Sequence, residues 1–253
     1  MGTIIVICFG LAWGSFLNVV IHRLPRRMSL IHPPSSCPEC GTRIKPHRNI
    51  PVLSYLWLRG RCPDCGTRIP FTYLLVEILT PASLFLLHFH YQFTPHFFAA
   101  GLFFSAMLVL GFIDYKHQII PDAVTFPGTG LSLIYAWFRP DMTLSQAVLG
   151  AAVGGGFLLL VYGLYYVWRK KAGLGMGDVT MMLFIGAFLG WKLTFFTLMA
   201  ASIGGAVLGV TLMLIHKKDW QVALPFGSFL APAAVFALLW GEPLINAYLN
   251  LFR

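Results

Sequence analysis

The sequence predicts an all-α polytopic membrane protein, with about eight transmembrane helices and one small cytoplasmic zinc-ribbon-like loop. Three observations predict it. Of 253 residues, 57% are hydrophobic and only 11% are charged, where a soluble domain carries about 25% charged residues. Apolar runs of about 20 residues, the length that crosses a bilayer, recur along the chain. The basic residues also fall on one side of those runs.

Taken in order, the expected spans are 2–22, 71–90, 96–113, 121–138, 143–167, 178–190, 193–215 and 222–240. Residues up to Ile21 lack a basic leading segment and a small-residue cleavage site, so 1–22 reads as a retained first span. From Val179 to Ile215 the sole charge is Lys192. One straight helix there would reach about 55 Å, too long for a single crossing. The chain is therefore expected to fold back near Gly190-Trp191-Lys192. Placing 23–70 in the cytoplasm and alternating sides puts fifteen of the eighteen Lys and Arg inside. Only Arg139, Lys192 and Arg253 are left outside, with both termini. The net charge of +9 is then that of cytoplasmic loops, and no nucleic-acid partner is expected. Three parts follow: the first span (1–22), a soluble loop (23–70) and a membrane-embedded core (71–253).

The loop repeats itself. Cys37-Pro-Glu-Cys40-Gly-Thr-Arg-Ile recurs as Cys62-Pro-Asp-Cys65-Gly-Thr-Arg-Ile, with 21 residues between the cysteine pairs. That spacing fits a zinc ribbon. Cys37, Cys40, Cys62 and Cys65 would hold Zn²⁺ in a closed, structural site with no position open for water. A loop of under 50 residues has too little core to fold alone, so the metal would supply its folding energy. Two disulfides are the alternative, and a reducing cytoplasm argues against them. Cys8, alone in an apolar run, reads as packing.

Acids are scarce: nine Asp and Glu in all. An acid at the edge of a span is costly and so reads as functional. Gly111-Phe-Ile-Asp114 and Ile120-Pro121-Asp122-Ala-Val-Thr125 place two at span ends, and Gly173-Leu-Gly175-Met-Gly177-Asp178 places a third. The charge sorting puts all three at the cytoplasmic face. Two carboxyls side by side, one protonated and one ionised, can hydrolyse a peptide: the ionised one takes a proton from water and the other donates to the carbonyl oxygen. Gly175 and Gly177 would let backbone approach Asp178 closely. Asp122, beside Pro121, fits a helix cap. Asp114 also fits an interfacial anchor paired with Lys116 or His117. The residues themselves leave the choice between Asp114 and Asp122 open.

Smaller readings complete the survey. Asn18 is expected to bond across helices. His88, His90 and His96 read as interfacial. The glycines at 150–156 and 204–209 read as close helix packing. Trp57, Trp137, Trp168, Trp191 and Trp240 fall near span ends, as an aromatic belt would.

Taken together, Gly14-Ser-Phe-Leu-Asn18-Val-Val-Ile-His-Arg23-Leu-Pro25, the paired C-P-x-C-G knuckles, Ile113-Asp114, Ile120-Pro121-Asp122-x-x-Thr125, Gly175-Met-Gly177-Asp178 and Pro225-Phe-Gly227 resemble the bacterial type IV prepilin peptidase family, over nearly the whole chain. The resemblance implies a multi-pass enzyme of the bacterial inner membrane. It would cleave the short basic leader of type IV prepilins or pseudopilins at the cytoplasmic face. It would then methylate the new N-terminus with S-adenosylmethionine. It matches the family's catalytic aspartates to Asp114 and Asp178, and its cysteine loop, which accompanies the bifunctional members, to Cys37, Cys40, Cys62 and Cys65. Thr180 departs from the pattern, where Lys is common. No Gly-rich nucleotide loop follows a strand, so a Rossmann-type cofactor site is excluded. Gly60 and Glu77 are the candidates for the methyl-donor site. Leader and loops are both basic, so anionic membrane lipid is expected to help hold the substrate. Two competing readings remain: a presenilin- or signal-peptide-peptidase-like intramembrane protease, and a zinc-ribbon-bearing proton-coupled transporter or assembly scaffold.

Overall fold

The computed structural model describes residues 2–170, 175–216 and 225–251. Lys171, Gly173, Lys217, Lys218 and the start of the expected 222–240 span lie outside them. Of the described residues, 78% are helical. Among the described residues the only β pairing is two isolated bridges, Ser36–Arg43 and Arg61–Arg68. Two compact units divide after Ser105.

The first unit holds α1 (Gly2–Arg23), a short α2 (Leu53–Trp57) inside the loop, α3 (Phe71–Tyr91) and the start of α4 (Pro95–His117). Helices α1 and α3 run antiparallel. Gly10 lies against Pro81, Gly14 against Glu77 and Thr80, and the Asn18 amide donates to the Tyr73 carbonyl at 3.0 Å. Positions four apart on α1 thus meet falling numbers on α3, the spacing of one helix face. Small residues set this approach: a methyl group on Gly10 would stand 2.6 Å from the Pro81 Cα. Asn18 is the interhelical bond expected of it. Trp13 adds a second long-range bond, donating to the Ser105 hydroxyl at 2.9 Å.

The second unit holds the rest of α4, then α5 (Asp122–Phe138), α6 (Leu144–Arg169), α7 (Met176–His216), α8 (Gly227–Phe236) and α9 (Glu242–Asn250). A π-helical turn, Ala237–Gly241, joins α8 to α9. Helix α7 is broken at Gly190, where φ is 75° and ψ 167°. Gly154 shows that the chain reverses there. A methyl group on it would stand 2.8 Å from the Met182 carbonyl and 2.9 Å from the Thr194 side chain. In a straight helix those two residues would be about 18 Å apart. The fold-back expected from the length of this apolar run is therefore present, and only glycine readily takes that φ.

The glycine-rich stretch of α6 packs, as expected. Gly150 meets Gly186 backbone to backbone, and Gly155 meets the Leu183 side chain. Replacing Gly150 by Ala drives a methyl group into the Gly186 carbonyl. The expected cost is about 1–3 kcal/mol, read as a lower unfolding midpoint in detergent. An unchanged midpoint would contradict the close approach.

Six described helices are long and apolar enough to cross a membrane: Gly2–Arg26, Phe71–Tyr91, Pro95–His117, Leu144–Arg169, Met176–Ile215 and Gly227–Asn250. The expected eight differ for two reasons. Helix α5 has only 17 residues, and the sixth and seventh spans are the two arms of α7. The last span also runs past 240, because Pro243 sits in the first turn of α9, where a missing N–H costs nothing. At the end of α3, His88 is 9% exposed and packs against the rings of Phe93 and Phe97.

Candidate active site and metal centre

Four helix ends build the acidic site. Asp114 stands in the last turn of α4, Asp178 in the first turn of α7, Ser228 in the first turn of α8, and Asp122 opens α5. Asp114 and Asp178 are 5% and 7% exposed. The Ser228 N–H donates to Asp114 Oδ2 at 2.7 Å. The Ser228 hydroxyl lies 3.2 Å from both that oxygen and the Gly111 carbonyl, and its single proton serves one at a time. Gly227 lies against the Asp114 carboxyl, and Asp178 is close enough to feel the Asp114 charge. The structure therefore brings Asp114 and Asp178 together at the positive end of α8.

Glycine makes the approach possible. A methyl group on Gly177 would stand 2.8 Å from Ile120 Cβ. One on Gly227 would stand 2.8 Å from Ile120 Cδ1 and 2.9 Å from Asp114 Oδ2. Ile120 is thus the wedge shared by the start of α7 and the start of α8. Gly175 stays close to Asp178 itself: the Asp178 N–H donates to its carbonyl at 3.1 Å.

Asp122 does not join the pair. It is exposed, and its carboxylate lies 3.3 Å from the Thr180 hydroxyl, whose single proton also has the Gly177 carbonyl at 3.0 Å. Its capping role needs correction too. Pro121 is the cap residue of α5, and no side chain caps that helix. Asp122 is the first helical residue, where its charge favours the N-terminus without a capping bond.

In the loop, the Sγ atoms of Cys37, Cys40, Cys62 and Cys65 all lie within 4.8 Å of one another, and those of Cys37 and Cys65 are 3.8 Å apart. Four sulfurs at about 2.3 Å from one tetrahedral ion would be about 3.8 Å apart, so the cluster is compatible with a metal ion. All four cysteines are free thiols, which sets the disulfide alternative aside. Both knuckles close alike. Gly41 donates to the Cys37 carbonyl at 2.9 Å and Gly66 to that of Cys62 at 2.8 Å, with φ of 70° and 73°. A methyl group on either glycine would meet nothing within 4 Å; it is φ that demands glycine there. The Thr67 hydroxyl, then its N–H, hold the Cys65 thiol down at about 6, and Thr42 lowers Cys40 in the same way. Thiolate is the form a metal takes.

Comparison with known proteins now places the chain. Residues 8–91 match the bacterial peptidase A24 N-terminal domain, and residues 101–210 match the type IV leader peptidase family. The chain belongs to the type IV leader peptidase family. It is 35% identical over 267 residues to the prepilin leader peptidase/N-methyltransferase of Pseudomonas aeruginosa, covering 96% of this chain and 92% of that one. It is 35% identical to the protein of the same name in Aeromonas salmonicida (97% and 93% covered) and 34% identical to that in Legionella pneumophila (98% and 94%). No solved structure matches it.

For a leader peptidase of this family, two features escaped sequence reasoning. Ser228 gave no signal: a serine next to a Pro-Phe-Gly run reads as an ordinary helix start. Its role needs a contact across 114 positions. Ile120 likewise looked like one more apolar residue. The methyl-donor candidates sit in the first unit. Gly60 has φ 64°, and a methyl group on it would stand 2.9 Å from the Tyr55 hydroxyl. Glu77 accepts from the Val52 N–H at 2.7 Å.

Proposed function

We propose that this chain cleaves the leader from type IV prepilins or pseudopilins and then methylates the new N-terminus. One observation carries the reading: two buried carboxyls, 64 positions apart in sequence, meet near the N-terminus of α8 in a member of this family. The Ser228 N–H on Asp114 Oδ2 suits a carboxylate, which only accepts. Asp114 therefore takes the proton from water, and Asp178 holds the proton that goes to the carbonyl oxygen. Water adds to the carbon, and the peptide C–N bond then breaks.

Residues 71–253 carry the protease, and 23–70 carry a structural Zn²⁺ on Cys37, Cys40, Cys62 and Cys65. S-adenosylmethionine supplies the methyl group when bound. The active site and the cysteine loop face the cytoplasm, as the sorting of Lys and Arg supports. The apolar pilin helix lies along the spans, and anionic lipid holds the basic leader. The partners are pilin and lipid, with no nucleic acid.

The deciding experiment incubates the purified protein with a prepilin and labelled S-adenosylmethionine and weighs the product. A mass loss equal to the leader, then a gain of one methyl, is the expected result. An uncut prepilin overturns the peptidase reading, and a cut but unlabelled product overturns the methylation.

Ser228 has its own signature. Ser228→Ala removes the hydroxyl and keeps the N–H, so leader release is expected to fall by less than about tenfold. Ser228→Pro removes both donors at a helix position that tolerates proline. It is expected to lower release by about 10²-fold or more, with an altered pH profile. Equal activity in the two variants would show that the backbone donor does not matter.

A further inference from the structure

The first unit contains a second polar site that proteolysis does not use. Glu77 projects from α3 where residues 49–52 of the loop cross the groove between α1 and α3. Its carboxylate accepts from the Val52 N–H at 2.7 Å, and Ser15 and Asn18 of α1 lie near it. Val52 takes φ 63° and ψ −53° to present that N–H. A β-branched residue rarely adopts positive φ, and such strain gathers at ligand sites. Near it an open groove of about 340 Å³ is lined by Ala12, Ser15, Phe16, Val19, Asn49 and Pro51, with Pro51 next in sequence to Val52. Ser15 belongs to both the groove wall and the carboxylate's surroundings. No Lys or Arg lines the groove.

We infer that Glu77 and this groove bind an organic cation, a primary ammonium or a sulfonium, for the methyl-transfer step. The inference rests on the methylation proposed above. The chemistry fits in three respects. A carboxylate with one oxygen on a backbone donor has its other lone pairs for a cation. The Phe16 side chain in the groove wall adds an aromatic ring to the lining. The neighbouring groove, at about 340 Å³, has room for a small side chain. Two molecules in methyl transfer carry such a cation: the freshly exposed pilin N-terminus, and S-adenosylmethionine with its sulfonium and amino group.

The test uses the full-length protein in lipid nanodiscs. Glu77→Gln keeps the acceptor for the Val52 N–H and removes the charge. Methylation of a pre-cleaved pilin is expected to fall at least tenfold, with leader release and bound zinc unchanged. Ala12→Phe fills the groove from α1 without touching Glu77, and should do the same. Equilibrium dialysis with labelled S-adenosylmethionine separates the two cations. Lost retention in Glu77→Gln assigns the site to the methyl donor. Kept retention with a raised KM for the cleaved pilin assigns it to the pilin ammonium. Wild-type methylation in either variant overturns the site. So does a joint loss of leader release and zinc, which would make Glu77 a strut for the loop. If the wild-type chain cuts but does not methylate, the methylation proposal has failed. Retention of labelled donor and of cleaved pilin then still tests the site, and equal retention by wild type and Glu77→Gln overturns it.

Discussion

Replacing Asp114 or Asp178 by Asn is expected to stop leader release, lowering it by about 10³-fold or more, while the protein stays folded. Asn has the volume of Asp, and its side-chain oxygen still accepts from the Ser228 N–H that now reaches Asp114 at 2.7 Å. What it cannot do is take a proton from water or give one to a carbonyl. General acid–base groups contribute about 10²–10⁴-fold each, and a dyad fails when either member fails. Asp122→Asn is the matched control. Asp122 is exposed and bonded to Thr180, so release should stay within about threefold of wild type. The measurement is the mass of the pilin product over time, with bound zinc and unfolding midpoint as checks on folding. Full release by both Asp114→Asn and Asp178→Asn would end the dyad proposal. Release lost only in Asp122→Asn would move the site.

The backbone needs a variant of its own. In Gly227→Ala the new methyl group lands 2.9 Å from Asp114 Oδ2 and 2.8 Å from Ile120. Asp114 must turn away or α8 must shift. A displacement of about 1 Å at a reacting group costs about 10²-fold, so release should fall by that order. Gly177→Ala meets only Ile120, and should act more through stability than through chemistry. A second substitution, Ile120→Ala, opens the space both methyl groups need. It is expected to restore part of the lost release in each variant, and no rescue would show that Ile120 is not the wedge.

How much of this was legible in the sequence depended on the reach of each contact. The knuckles were legible because their parts lie within six residues: Cys37 to Thr42 repeats as Cys62 to Thr67, down to the hydrogen bonds of Gly41 and Gly66. The fold-back at Gly190 was legible because a length argument needs no partner. Asp114 and Asp122 were not separable from residues alone, since both end up at helix termini. What separates them is Ser228 on one and Thr180 on the other, contacts of 114 and 58 positions. Gly177 makes room for Ile120, and a glycine's sequence does not say whom it admits.

Removing the metal is the second large effect. Between residues 24 and 70 only Cys37, Ser54 and Gly60 are buried. That is no hydrophobic core. The regular structure there is two 3₁₀ turns, the five residues of α2 and two isolated bridges. One ion pair, Arg48–Asp64 at 3.3 Å, links the second knuckle to the connecting segment, and an exposed pair contributes at most about 1 kcal/mol. Structural zinc supplies about 10–16 kcal/mol in comparable small domains, so no other interaction in the loop can replace it. The purified protein is expected to hold one zinc per chain. Cys62→Ser, or a strong chelator, should leave less than about a tenth of that metal and open the loop to proteolysis between the knuckles. The unfolded loop then withdraws the Val52 N–H from Glu77, and Asn49 and Pro51 from the groove wall. Methylation should disappear with it. Leader release should persist within about tenfold, because Asp114, Asp178, Ile120, Gly227 and Ser228 all lie outside the loop. Full methylation by a zinc-free protein would show that the loop is not held by metal. Equal loss of both activities would show that the loop serves the peptidase as well.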